Sequence, residues 1–124
     1  MDKILFVSFG AILGANSRFL ISNKLEKLNF RKDFFILIIN TLASFFLGLF
    51  LSLIERFSYF SYSYQLVLFI AIGFLGSFST FSSFIYEMFD FCLQLKFSIA
   101  LNLFIIFWSL GVIAFAFGFF LGNQ

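Results

Sequence analysis

The chain has no histidine, no proline and a single cysteine, and only 11% of its 124 residues carry charge. Without histidine there is no imidazole base, and one cysteine leaves neither a disulfide within the chain nor a Cys/His metal site. Cys92 is read as a packing residue. Eight Lys and Arg against six Asp and Glu give a net charge of +2, far short of the basic excess of a nucleic-acid binder. Nucleic acid is therefore excluded as a partner.

What is present is hydrocarbon. Hydrophobic residues make up 62% of the chain and the mean hydropathy is +1.07, too apolar for a soluble domain of this size. A bilayer core takes about 20 apolar residues per helix, so four spans would use most of the chain and leave no room for a catalytic or soluble domain. Four stretches suit that role: about 4–21, 34–54, 66–90 and 97–121. The first is interrupted by Arg18 near its end, and the second has no charge. The first is not read as a signal peptide, because its charged n-region is weak and no soluble sequence follows it. The links are short, which makes neighbouring helices antiparallel. Small residues at four-residue spacing, Gly10 and Gly14, Ser44 and Gly48, and Ala114, Gly118 and Gly122, let helix backbones approach closely in lipid.

The third span is the anomaly. Between Gly73 and Phe84 it carries Ser77, Ser79, Thr80, Ser82 and Ser83, five hydroxyls in seven residues. Gly73 and Gly76 permit unusual backbone angles, and hydroxyls can satisfy backbone groups released when a membrane helix unwinds. The expectation is a third helix broken near the membrane midplane. Its ends would offer carbonyls to a cation and N–H groups to an anion. The plainer alternative is an intact helix whose hydroxyls bond back to its own carbonyls. Phe81 and Phe84, three apart, share a helix face. They either pack or present positive ring edges to a small anion. Asn40, in the otherwise apolar second span, either joins helices or lines a pore, since an amide in hydrocarbon needs a partner. Asn16 and Asn102 raise the same question. Arg18 either snorkels to the interface or pairs structurally, or else concentrates anions in a vestibule.

Three stretches in order, Gly10 to Arg18, Asn40 to Gly48, and Gly73 to Phe84 followed by Glu87, resemble the small fluoride-channel family, also called the CrcB or Fluc family. With the chain's length and four spans, the resemblance covers nearly the whole sequence. It implies an all-α integral membrane subunit of the cell inner (plasma) membrane, paired in an antiparallel dual-topology dimer. It also implies passive export of cytoplasmic fluoride, with no enzymatic reaction. Main-chain carbonyls of Gly76 and Ser79 would hold a structural sodium ion. Phe81 and Phe84 would line the fluoride path, with polar contacts from Asn40, Ser82 and Ser83 and a vestibule residue in Arg18.

The chain departs from the family pattern where relatives commonly carry Gly, at Ala43 and Ser77, and Thr, at Ser79 and Ser83. It also departs near Leu103 and Phe107, where many relatives have Tyr and Ser, so part of the polar track is missing here. Two rival functions follow from composition alone: a small proton-coupled multidrug exporter and a non-conducting accessory membrane subunit. The exporter needs a carboxylate inside its first helix, and residues 4–21 contain none.

Basic residues set an orientation. The first and third links hold Lys24, Lys27, Arg31, Lys32 and Lys96, while the opposite side holds Lys3 and Arg56. The positive-inside rule then puts both termini outside the cytoplasm. Such a bias favours pairing with a related subunit of opposite orientation, although it does not exclude a homodimer.

Overall fold

The computed structural model describes residues 2–29, 31–57 and 61–124. Among these, every regular element is helical: α1 (Asp2–Lys27), α2 (Lys32–Arg56), α3 (Ser63–Leu66), a π-helical stretch (Val67–Leu75), α4 (Gly76–Phe78), α5 (Phe81–Leu93) and α6 (Phe97–Gly122). The third span runs from α3 through α5. Four helices, Asp2–Lys27, Lys32–Arg56, Ser63–Leu93 and Phe97–Gly122, are long and apolar enough to cross a membrane. Lipid supplies no hydrogen bonds, so helices that satisfy their own backbone are the natural way across. With no proline to remove an N–H, α1, α2 and α6 each run 25 or 26 residues without interruption.

The helices associate as two pairs, α1 against the π-helical stretch and α2 against α6. The small residues mark both seams. A Cβ on Gly10 would strike the Phe69 carbonyl oxygen, and one on Gly14 would strike Ser77 Oγ and the Phe74 carbonyl. Across the other seam, a Cβ on Gly48 would strike the Phe115 carbonyl and one on Gly118 the Phe45 carbonyl. Backbone therefore touches backbone on both seams, replacing side-chain burial with close dispersion contact. The buried cluster that joins the pairs is small: Ile39, Ala43 and Phe78, with Ile21 and Phe35 against it. Most remaining apolar side chains, including long runs on α1 and α6, are exposed on the protomer, as lipid or a second subunit requires.

The links turn with specific backbone devices. Between α5 and α6, Leu95 takes φ 60°. Lys96 N–H donates to the Phe91 carbonyl at 2.9 Å and Leu95 N–H to the Cys92 carbonyl at 3.1 Å. This is a left-handed helix stop normally given to glycine.

Candidate functional site: the break in the third span

The third span is interrupted close to its middle. Ser79 (φ −74°, ψ 158°) and Thr80 (φ −143°, ψ 111°) are extended, and α5 restarts at Phe81. The glycines expected to allow the break do not make it. Gly76 is ordinary helix (φ −62°, ψ −38°), and no glycine among the described residues has positive φ. Gly73 serves close packing instead, since a Cβ there would meet Gly10 Cα at 3.0 Å.

Asn40 on α2 holds the break open. Its Oδ1 accepts from Thr80 N–H at 2.9 Å and its Nδ2 donates to the Thr80 carbonyl at 2.9 Å. A third bond runs from Nδ2 to the Ile36 carbonyl at 3.0 Å. The amide thus treats Thr80 as a neighbouring strand would, pairing with both its backbone groups, and leaves neither of its own protons unused. In a continuous helix Thr80 N–H would go to the Gly76 carbonyl. Asn40 takes that donor away.

Four of the five hydroxyls divide between back-bonding and serving the break. Ser77 Oγ donates to the Phe74 carbonyl at 3.1 Å and Ser79 Oγ to the Gly76 carbonyl at 3.4 Å, which is back-bonding of the ordinary helical kind. Thr80 instead caps α5. Its Oγ1 accepts from Ser83 N–H at 3.4 Å and donates to Ser83 Oγ at 3.0 Å. Thr80 is only 6% exposed, so these partners stand in for water. The sequence reading counted Thr80 among the hydroxyls without giving it a role. Its signal was a Thr three residues before a second hydroxyl at the restart of an apolar helix.

Arg18 reaches inward to the break, and its Nη1 donates to the Ser79 carbonyl in a long bond of 3.4 Å. Gly76 is exposed, with nothing nearer than the Ala71 carbonyl at 3.9 Å where a Cβ would stand. The remaining named residues fall into separate clefts. Asn40, Gly76, Ser79 and Phe81 line one of about 280 Å³, together with Ser44 and Phe107. Ser82 and Ser83 line another, of about 420 Å³, with Ser22, Glu26, Lys32 and Glu87. The two aromatic residues differ sharply: Phe81 is 63% exposed and Phe84 is 4% exposed. Their ring centroids are 6.4 Å apart, so they do share a side of α5.

Electrostatically the break juxtaposes the carbonyl end of one helix with the N–H end of the next, a partial negative beside a partial positive. The groups that could receive a hard cation are the Gly76 and Ser79 carbonyls. Those that could receive an anion are the first N–H groups of α5, the Ser82 hydroxyl and the Arg18 guanidinium.

The chain is similar over most of its length to known proteins. The family described as "CrcB-like protein, Camphor Resistance (CrcB)" matches residues 5–119. The chain is 68% identical over 124 residues, the full length of both proteins, to a protein named fluoride-specific ion channel FluC 2 of Prochlorococcus marinus strain NATL2A. It is 38% identical over 103 residues, 82% of this chain and 77% of the relative, to a FluC 2 of Prochlorococcus marinus subsp. pastoris. A third relative, fluoride-specific ion channel FluC of Hydrogenovibrio crunogenus, is 38% identical over 92 residues, 72% of this chain and 67% of that protein. Four membrane-length helices, an interrupted third span tied to the second, and near-complete coverage by these relatives converge, and the chain belongs to the CrcB/FluC family of membrane-embedded fluoride channels.

Proposed function

We propose that this chain is a subunit of a fluoride channel through which cytoplasmic fluoride leaves passively, with Arg18, Asn40, Phe81, Ser82, Ser83 and Phe84 along the path. The observation that carries the reading is the break held by Asn40, which starts a new helix at Phe81 inside an apolar span, beside a cleft that Phe81, Ser79 and Gly76 line. A small hard anion, desolvated in that setting, gains from N–H dipoles, hydroxyl donors and positive ring edges together.

The working unit is an antiparallel dimer. Gly76, Phe81 and the outer face of α6 are exposed on the single chain, and an open position such as Gly76 in hydrocarbon calls for something packed closely over it. A structural sodium ion fits the donor set at the break. The ligands would be the main-chain oxygens of Gly76 and Ser79, hard donors suited to a hard cation. The Gly76 carbonyl has lost its helical donor Thr80 N–H to Asn40. Two oxygens are too few for such an ion, so a second copy or a related subunit of opposite orientation would supply the rest. The Arg18 guanidinium now on the Ser79 carbonyl would turn towards the vestibule when that oxygen is engaged.

The test is efflux from liposomes containing the full chain, read with fluoride and chloride electrodes. Fluoride efflux without chloride efflux is expected. Proton-driven export of an organic cation without fluoride efflux would overturn the reading.

A further inference from the structure

We propose that Phe107 is a closing residue: its ring, stacked on Phe84, shuts the passage between the cleft at the helix break and a small, mostly apolar space beside Asp33 and Glu87. This inference rests on the fluoride-channel reading and deepens it.

Two observations carry it. The Phe84 and Phe107 rings lie nearly parallel, 14° apart, with centroids 3.9 Å apart. At that separation the two faces are in van der Waals contact and no ion fits between them. Phe107 also forms a partition. On one side it lines the cleft of about 280 Å³ that contains Asn40, Gly76, Ser79 and Phe81. On the other it lines a space of about 10 Å³ walled mainly by Ile36, Leu37, Phe84, Met88 and Leu103, with Asp33 and Glu87 at its edge. The second space holds one water at most.

The pair therefore separates the open cleft from the small space beside Asp33 and Glu87. What faces Phe84 is aromatic carbon, with Phe104 adding a second ring at 6.5 Å. A hydroxyl at position 107 would leave room for an anion beside the Phe84 ring edge and give it a donor. A phenyl ring does neither. The ring has somewhere to go, because Phe107 also borders a third cleft of about 360 Å³ that it shares with Phe81 and Gly111. The passage along this chain's α5 and α6 then opens only while Phe107 is turned out of the stack. An aromatic stack of this kind lowers the open fraction by roughly two- to tenfold.

The experiment compares wild-type chain with Phe107→Ser, Phe107→Leu and Phe107→Trp, reconstituted in liposomes at matched protein density, with thermal unfolding in detergent as a check on folding. Fluoride efflux is expected to rise roughly two- to tenfold in Phe107→Ser. It should rise less in Phe107→Leu, which keeps bulk but cannot stack, and stay at or below wild type in Phe107→Trp. A purely structural Phe107 would instead lower efflux in the first two variants in step with their stability. If wild type conducts and folded Phe107→Ser and Phe107→Leu conduct no faster, the closing role is wrong while the channel reading stands. If neither wild type nor any folded variant passes fluoride, both fail.

Discussion

Replacing Asn40 by leucine removes the side chain that keeps the third span broken, at nearly constant volume. Three hydrogen bonds of 2.9, 2.9 and 3.0 Å disappear. The Ile36 carbonyl sits within α2 and keeps its place in that helix. The Thr80 N–H and carbonyl lose their paired partner at a residue 6% exposed. Each unmet buried group costs about 1–3 kcal/mol, so a chain that keeps its break should lose about 2–6 kcal/mol. A chain can escape that cost by closing the helix, returning Thr80 N–H to the Gly76 carbonyl. The carbonyl site and the fresh N-terminus of α5 would then be lost together. Asn40→Asp separates the contributions, since a carboxylate still accepts from Thr80 N–H but repels the Thr80 and Ile36 carbonyls. Unfolding in detergent and amide hydrogen exchange at Thr80 read stability and geometry, and liposome efflux reads function. Full stability, unaltered Thr80 protection and wild-type efflux in Asn40→Leu would refute the claim that this amide holds the break.

Four further outcomes are expected. Phe81→Ile and Phe84→Ile keep bulk but lose the ring quadrupole, so fluoride efflux should fall while folding persists; undiminished efflux in both would return the rings to packing. Gly118→Val drives a side chain into the Phe45 carbonyl and should destabilise by about 1–3 kcal/mol, whereas Gly76→Val, in open space on the protomer, should leave the protomer fold intact and weaken dimerisation, as size-exclusion with light scattering would register. Leu95→Gly relieves a left-handed Leu at φ 60° and should stabilise by about 1 kcal/mol, raising the thermal midpoint in detergent. Single-Cys variants at Asn23 and Gln124, with Cys92 replaced, should label from one side each in cells expressing the chain alone; equal labelling from both sides would favour a dual-topology homodimer.

The apolar fraction, the short charged links and the run of five hydroxyls determined four membrane-length helices and singled out the third span, because these are properties of composition and order along the chain. The small residues at four-residue spacing were equally legible, since helical periodicity alone puts them on one face. Which helices those faces would join was a tertiary matter: α1 chose the π-helical stretch and α2 chose α6. A break near the middle of the third span was legible, and the structure has it at Ser79 and Thr80; its cause was not, because glycine permits an irregular backbone without demanding it. The deciding partner, Asn40, lies 40 residues away along the chain. Of its two offered roles, joining helices is the one its bonds to Thr80 perform, and the same amide also borders the cleft at Phe81. Arg18 was ambiguous for the same reason, its reach to the Ser79 carbonyl spanning 61 residues. The stack of Phe107 on Phe84 was invisible among 25 phenylalanines, because ring contact depends on how α5 meets α6, a geometry that neither helix carries in its own sequence.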